Sequence, residues 1–511
     1  MSIIVDMCEK VIEDLDLTPR TFCKETQQWK PAHVRKLAKA NATYKVTKPE
    51  SKWRHLASGC LIIMSPLYKW LSQAMGGIQK CTSELYEREQ LKNGVQKEDC
   101  APRCLIDSAD EVKVRVEAMN DDPVVASDKN RVMASRDMAQ LFTNVDQEDV
   151  IQKVGKELFV EIWDMQLEKL NKDVSGTRSG QMRGRDSLRM VVHSKSSQHQ
   201  TCIMGMEEIE KKGWKNCASR RIITLEMLQK WLELAIKHSY VRVGNDGVLK
   251  QEVGIPQGMN ASPWISNLYL YMYELRFMRQ FMEGTDADKA FFLENFKYCF
   301  RFQDDRWSGG NEVEKDAMYE EEAFGPGGKW HGLYPERFLE ITVEGMSAEE
   351  TIHQDVRIQR KEWEDGTFHF TVGVYDRKYD DENLDKVRKY MVLYQRPTTM
   401  LTDQCIYGVV YSEMCRFSRR CSRLGDFMAA SRRMVERMVD MGYEAEKINA
   451  KIKKVATRVP RLHNCYARGK VQRPLMNVVR RAAERKAHRE RGREERQATI
   501  QFLRELERDE E

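Results

Sequence analysis

Asp304 and Asp305 are adjacent carboxylates closing an aromatic-rich run, Tyr298-Cys299-Phe300-Arg301-Phe302-Gln303. Arg306-Trp307-Ser308-Gly309-Gly310 follows. This pattern reads as one arm of a β-hairpin with the carboxylates at its tip. Neighbours in a regular strand face opposite ways, a rule that relaxes in a turn. Two carboxylates held side by side repel each other, and a divalent cation relieves the repulsion. Phosphoryl transfer by two metal ions about 3.5–4 Å apart is the chemistry that uses such a cluster. Asp-Asp also occurs at Asp121-Asp122 and Asp380-Asp381. The first pair precedes Pro123 and reads as a turn; the second sits in Lys378-Tyr379-Asp380-Asp381-Glu382-Asn383 and reads as a solvated loop.

Two upstream stretches single out the third pair. Gly254-Ile255-Pro256-Gln257-Gly258-Met259-Asn260-Ala261-Ser262-Pro263 precedes the apolar run Trp264-Ile265-Ser266-Asn267-Leu268-Tyr269-Leu270. It reads as a loop opening a helix, with Ser262 or Ala261 near the N-cap and Pro263 near N1. Gly258 lets the backbone approach a nucleotide closely. The plain alternative is an ordinary helix start. Further upstream, Asp137 is followed five residues on by Phe142, in Arg136-Asp137-Met138-Ala139-Gln140-Leu141-Phe142. Asp164 is a rival carboxylate, but Lys169 stands five residues after it.

Taken in order, Asp-x4-aromatic, Gln-Gly-x3-Ser-Pro and aromatic-x-Asp-Asp resemble palm motifs A, B and C of reverse transcriptases. Lys52-Trp53-Arg54-His55-Leu56 looks like the fingers motif that carries the triphosphate-binding Arg. Tyr334-Pro335, Gly366-Thr367-Phe368 and Val374-Tyr375-Asp376-Arg377-Lys378 are similar to the segments leading to the primer grip. Gly408-Val409-Val410-Tyr411-Ser412 through Arg416-Phe417, then Cys421-Ser422 and Phe427, resembles the thumb start of Penelope-like and telomerase-related enzymes. The resemblance spans roughly residues 40–465. Phe302 stands where the family often has Tyr.

The resemblance implies an α+β right-hand fold with fingers, an antiparallel palm sheet backed by helices, and a helical thumb. It implies an RNA-directed DNA polymerase that takes an RNA template, a DNA primer and dNTPs. Asp137 and Asp304, with the Met138 carbonyl, would hold two Mg²⁺ ions (or Mn²⁺), and Asp305 would be the more peripheral carboxylate. Arg54, with Lys48 and Lys52, would clamp the triphosphate. Gln257 and Gly258 would line the nucleotide site, and Phe142 would lie beneath its sugar. Two alternatives share these residues: an RNA-templated RNA polymerase, and a domesticated fold that binds nucleic acid without synthesis.

The elements that must position these residues follow from pattern. Residues 1–40 read as an N-terminal helical segment, 41–130 as fingers and 131–378 as palm. Thumb (379–465) and a basic helical tail (466–511) complete the chain. Leu225, Leu228, Leu232, Leu234 and Ile236 mark an amphipathic helix from Thr224 to Val241. Val241-Arg242-Val243, Asn245-Asp246-Gly247 and Val248-Leu249-Lys250-Gln251 read as a hairpin just before motif B. A Gly/Ser/Arg-rich segment from Ser175 to Gln200 reads as part of a mobile basic insertion at about 165–220 that either contacts a nucleic-acid backbone or is simply solvated. Residues 310–332 read as an acidic loop, and 338–378 as strands separated by Asp365-Gly366. Arg416, Arg419 and Arg420 interleave with aromatics on a helix that could grip a duplex or be an ordinary surface.

The 511 residues are 41% hydrophobic and 32% charged, with a formal net charge of only +5. Size suits a multi-lobed enzyme, and charge distribution says more about nucleic acid than the total does. Thirteen Cys without a Cys-x2-Cys pattern suggest reduced thiols and an intracellular chain. Met1-Ser2-Ile3-Ile4-Val5-Asp6 lacks the basic start of a signal peptide, and no apolar run reaches membrane-spanning length. Arg480-Arg481, Arg485-Lys486, Arg489, Arg491, Arg493 and Arg496 suggest a tail that binds nucleic acid, acts as a nuclear address, or is an exposed helix.

Overall fold

The computed structural model describes residues 2–17, 20–23, 28–31, 38–45, 52–57, 63–139, 141–175, 184–195, 197–243, 247–310, 313–376, 394, 396–460, 462 and 469–509. The fold is α+β. The chain divides into two compact units, Met1–Ile106 with Val132–Met346, and Asp107–Arg131 with Ser347–Glu511. Lys48 lies outside the described residues.

The first unit is built around helices Ser65–Lys92 and Ser262–Met282, which pack on each other. Their contact faces are rich in large apolar groups: Leu67, Leu71, Met75 and Ile78 from one, Leu268, Tyr271 and Leu275 from the other, all fully buried. Ser262–Met282 starts as its sequence predicts, with Ala261 at the N-cap and Pro263 in the first turn. Helix Leu225–Lys237 also begins where expected but ends before Val241, because Tyr240–Val243 is taken into a strand. The Thr224 hydroxyl accepts the Met227 N–H at 3.1 Å, a standard N-cap.

Three sheets matter for the site. The central one has the order Cys299–Phe302, Asp305–Ser308, Met133–Ala139, Glu340–Ser347, with the first two pairings antiparallel. A second runs Gly247–Lys250, Tyr240–Val243, Ala38–Lys45, Lys52–Ala57. It contains the expected hairpin before motif B, joined by a short parallel pairing, Ala38 opposite Val241, to Ala38–Lys45, which in turn pairs antiparallel with the strand bearing Lys52 and Arg54. The third has Leu188–His193 at its centre, between Cys202–Gly205 and Arg220–Ile223.

Three sequence expectations need correction. Among the described residues of the first 40, Ser2–Asp14 is helical; strands Arg20–Cys23 and Gln28–Pro31 follow, with Phe22 opposite Trp29. The basic insertion is not mobile through 188–193, because Met190, Val191 and Val192 are buried in the third sheet. Averaging over the Gly/Ser/Arg-rich stretch hides that short apolar strand. The acidic loop at 310–332 carries Phe324, Trp330 and Glu314 into the interior. Trp330 stacks on Phe291 at 4.6 Å and lies tilted against Phe281 at 4.8 Å. Gly325 makes room for it, having φ +79° and an ideal Cβ that would meet the indole at 2.2 Å.

The second unit holds the antiparallel sheet Glu350–His353, Val356–Glu362, Phe368–Val374. The last two strands turn at Asp365-Gly366 as predicted, with Gly366 at φ +80° and Asp365 accepting the Thr367 N–H at 2.9 Å. Helices Asp403–Arg420, Leu424–Asp440, Ala445–Arg458 and Gln472–Asp509 pack around Val410, Met414, Val435, Met438, Ile452 and Leu475. The tail helix is therefore not wholly exposed. Val471, Leu475, Val479 and Ala482 anchor its first turns, and Arg485 pairs with Glu436 at 2.9 Å. Among the described residues no helix is long and apolar enough to cross a membrane.

Candidate active site

Strands Cys299–Phe302 and Asp305–Ser308 form a hairpin whose two turn residues are Gln303 and Asp304. Register sorts its side chains into rows. Phe302 lies opposite Asp305, and Asp305 opposite Asp137. One residue further along, Arg301 lies opposite Arg306, and Arg306 opposite Arg136. Phe300, Trp307 and Ser135 make the next row. Because side chains alternate, the Asp row shares its face with the Phe300–Trp307 stack, at 4.7 Å, and the Arg row occupies the reverse face.

The three stretches singled out by sequence thus converge. Asp137, Asp304 and Asp305 come together at one end of the central sheet, each half-buried. Sequence ranks Asp305 as peripheral, but the ladder puts Asp305, not Asp304, directly opposite Asp137. Asp304 is held in the turn by its main chain: its carbonyl accepts the Met138 N–H at 2.9 Å. Gln303 has φ +56°, the left-handed region, at a cost of about 1–2 kcal/mol for a residue with a Cβ.

The motif B loop docks on the turn that carries Phe142. Gly254 N donates to Val145 O at 2.8 Å and Ile255 N to Phe142 O at 2.9 Å. Gln147 Nε2 adds a bond to Gly254 O at 3.0 Å. Gly254 has φ +82°, and an ideal Cβ there would stand 2.3 Å from Phe142 O, so only glycine permits the contact. Phe142 itself is half-buried against the core, Gln257 is half-buried, and Gly258 is exposed at φ +101°. The Ser262 hydroxyl donates back to the Pro256 carbonyl and closes the loop.

Sequence reading missed the layer behind the aspartates. Arg136, Arg301 and Arg306 are all buried, at 4%, 0% and 1% exposure. Like charges directly opposite one another in a ladder are destabilising, so the row needs counter-charge. Glu274, from helix Ser262–Met282, binds Arg301 Nε at 2.5 Å and accepts the Tyr334 hydroxyl at 2.8 Å. Glu314 lies between the other two, 3.2 Å from Arg136 Nη1 and 2.8 Å from Arg306 Nη2. Burial pushes the Glu314 carboxyl up, but the two guanidiniums and the Ser308 hydroxyl outweigh it and hold it below its ordinary value. Cys299, whose thiol donates to Glu314 at 3.3 Å, is pushed well above the usual thiol range, chiefly by burial. A lone Glu in a Gly-rich acidic segment carries no sequence signal for this role.

Four further residues weighed from the sequence are engaged in ion pairs. Asp164, on helix Phe159–Ser175, is bound by Arg185 at 2.5 Å on both oxygens. In the second unit Arg416 pairs with Glu413 and Asp355, Arg419 with Asp110, and Arg420 with both Asp110 and Asp355. Their guanidiniums are engaged by carboxylates of their own unit. Among the described residues there is no group of three or more His, Cys, Asp or Glu placed to hold a metal ion by themselves.

No family model matches the sequence, and no curated protein matches it. Among solved structures, the chain is similar to a telomerase from Candida albicans bound to a fragment of telomeric RNA. That match has a TM-score of 0.45 and 10% identity, over 94% of this chain and 64% of the other. A telomerase from Candida tropicalis gives 0.39 and 11%, over 87% and 62%. The RNA-dependent RNA polymerase of a human picorbirnavirus gives 0.42 and 10%, over 82% and 60%. The chain spans less than two thirds of each of these structures.

Glu314→Ala leaves Arg136 and Arg306 uncompensated in the interior and is expected to cost about 3–5 kcal/mol in urea unfolding at neutral pH. Because the Glu314 carboxyl is depressed in the folded state, its stabilisation is complete above the ordinary value of 4.5 and is lost as pH falls through its folded value. The gap between wild type and Glu314→Gln should therefore shrink below about pH 4.5.

Proposed function

We propose that the chain is a template-directed nucleic-acid polymerase, and within that class an RNA-directed DNA polymerase. The observation that carries this is the Asp137–Asp305 cross-strand pair beside a turn whose Asp304 carbonyl is bonded to Met138 N. Two paired carboxylates and a third in the adjoining turn form an oxygen-only donor set. That set fits Mg²⁺ or Mn²⁺, which take one or two carboxylates and complete their shells with water and substrate phosphates. A protein-only cage is not required, which agrees with the small number of ligands the chain offers. Asp137, Asp304, Asp305 and the Met138 carbonyl would hold two such ions. Bound there, the ions would acidify a primer 3′-hydroxyl and offset charge on the leaving pyrophosphate.

The remaining residues take roles that follow from their positions. The loop through Gln257 and Gly258 is pinned to the Phe142 turn, so nucleotide contacts from motifs A and B share one rigid base. Gly258 lets backbone lie against a base or sugar without a Cβ in the way. Phe142, one short turn beyond Asp137, fills the space that a 2′-hydroxyl needs and favours dNTPs. Arg54, with Lys48 and Lys52, clamps the triphosphate, Arg by its bidentate fork. On this reading residues 41–130 are fingers, 131–378 palm and 379–465 thumb. Arg416, Arg419 and Arg420 reach a duplex only by exchanging their Asp110 and Asp355 partners for phosphates. The basic end of the tail helix serves as a nuclear address.

Primer extension on an RNA template, with Mg²⁺ and dNTPs or rNTPs, tests the reading. Asp137→Asn and Asp305→Asn should each lower extension by more than about a hundredfold. Primer–template binding should stay near the wild-type value, because grip comes from basic groups elsewhere. Extension retained in both variants would remove the site assignment.

Phe142→Val should raise rNTP use relative to dNTP use about tenfold or more, the scale set by steric fit in a pocket. A melting curve on the same protein separates this from lost packing. An unchanged ratio in a folded variant would refute the sugar-gate role, and preference for rNTPs by the wild type would favour RNA synthesis.

A further inference from the structure

We propose that Arg301 is a positioning residue of the carboxylate hairpin, fixing the Gln303-Asp304 turn against the helix that opens from the motif B loop. The inference rests on the metal-binding reading of the three aspartates. Arg301 is fully buried, and its guanidinium makes five hydrogen bonds. Nε and Nη2 reach Glu274 Oε1 and Oε2 at 2.5 and 3.3 Å. Nη1 and Nη2 reach Asn267 Oδ1 and O, both at 3.1 Å. Nη1 also donates to the Gln303 carbonyl at 2.8 Å. Glu274 is itself fixed by the Tyr334 hydroxyl, and Asn267 by Gln79 Oε1 at 3.3 Å.

This arrangement does more than neutralise charge. One Glu274 pair would be enough for that. The bond to Gln303 O grips the residue whose φ of +56° bends the chain, so the strained conformation is imposed from outside the turn. Asp304 follows immediately, and its own carbonyl is held from the other side by Met138 N. The turn is therefore clamped between the Asp137 strand and helix Ser262–Met282, whose N-terminus is the motif B loop. A rigid planar fork can serve these five acceptor atoms on three residues at fixed angles; a lysine ammonium, with three donors on a flexible stem, cannot. Groups that orient metal ligands from behind typically change metal affinity by 10–100-fold when removed.

The test is Mn²⁺ binding to the full chain without nucleotide, followed by electron paramagnetic resonance of the free ion, with a melting curve and a primer–template binding measurement on each protein. Arg301→Lys is expected to weaken Mn²⁺ binding about tenfold. Primer–template binding should be unchanged. Gln303→Gly placed in the Arg301→Lys protein should restore most of the affinity, since glycine takes a positive φ without being held. A role in general packing would move the melting temperature and would not be rescued at residue 303. If Arg301→Lys does not fold, Asn267→Ala takes its place; it removes one acceptor and leaves the Glu274 pair, and should shift affinity in the same direction by a smaller factor. Absence of Mn²⁺ binding by the wild type would overturn the metal-binding reading and this inference with it. Binding by the wild type, with equal binding by the folded variants, would overturn the role of Arg301 alone. Weaker binding that Gln303→Gly does not restore would also overturn it.

Discussion

Everything near the site answers to one electrostatic constraint: like charges stand opposite one another on both faces of the same sheet, two aspartates on one face and three arginines on the other. Asp305 faces Asp137 on one side, and Arg301, Arg306 and Arg136 line up on the other. Neither row is stable alone. The arginine row is buried, so its counter-charge must come from the protein, at hydrogen-bond distance and with good geometry. Glu274 and Glu314 meet that need from two different parts of the chain. The aspartate row is only half-buried, so its charges remain partly solvated.

That division of labour explains why the surrounding elements sit where they do. Glu274 lies on helix Ser262–Met282, three turns after the motif B loop, so neutralising Arg301 also docks that helix under the hairpin. Glu314 arrives on a short helical turn after the hairpin, which brings Phe324 and Trp330 into the core behind it. Main-chain bonds finish the assembly. The Phe142 turn accepts Ile255 N, Val145 accepts Gly254 N, and Asp304 accepts Met138 N. These contacts depend on a glycine at 254 and on a strained residue at 303, so the backbone carries as much of the positioning as the side chains do.

The second unit uses the same chemistry differently. Its arginines 416, 419 and 420 sit on one helix and are matched by Asp110 and Asp355 from two other segments. Half-exposed pairs of this kind contribute little each to stability, and salt weakens them. They tie helix Asp403–Arg420 to helix Ala109–Glu117 and to the turn before Val356–Glu362. A basic helix in the sequence is thus not by itself an open cationic surface.

Local pattern was enough for the elements with strong periodicity or strong turn chemistry. The start of helix Leu225–Lys237, the Pro263 helix start, the Asp365-Gly366 turn and the hairpin at Asp304-Asp305 were all legible, because each is set by residues within a few positions of one another. The aromatic alternation and the Asp pair announced a hairpin tip, and the order of the three stretches suggested which carboxylate joins it. Register was not legible. That Asp305 rather than Asp304 faces Asp137 follows from a two-residue turn held at a positive φ, and that φ is imposed by Arg301 from outside the turn. Nor could sequence reveal that Leu188–His193 is a buried strand, or that Glu314 neutralises both Arg136 and Arg306, which lie far apart in sequence. Burial of a charge depends on which partner the whole chain delivers to it, and only tertiary structure decides that.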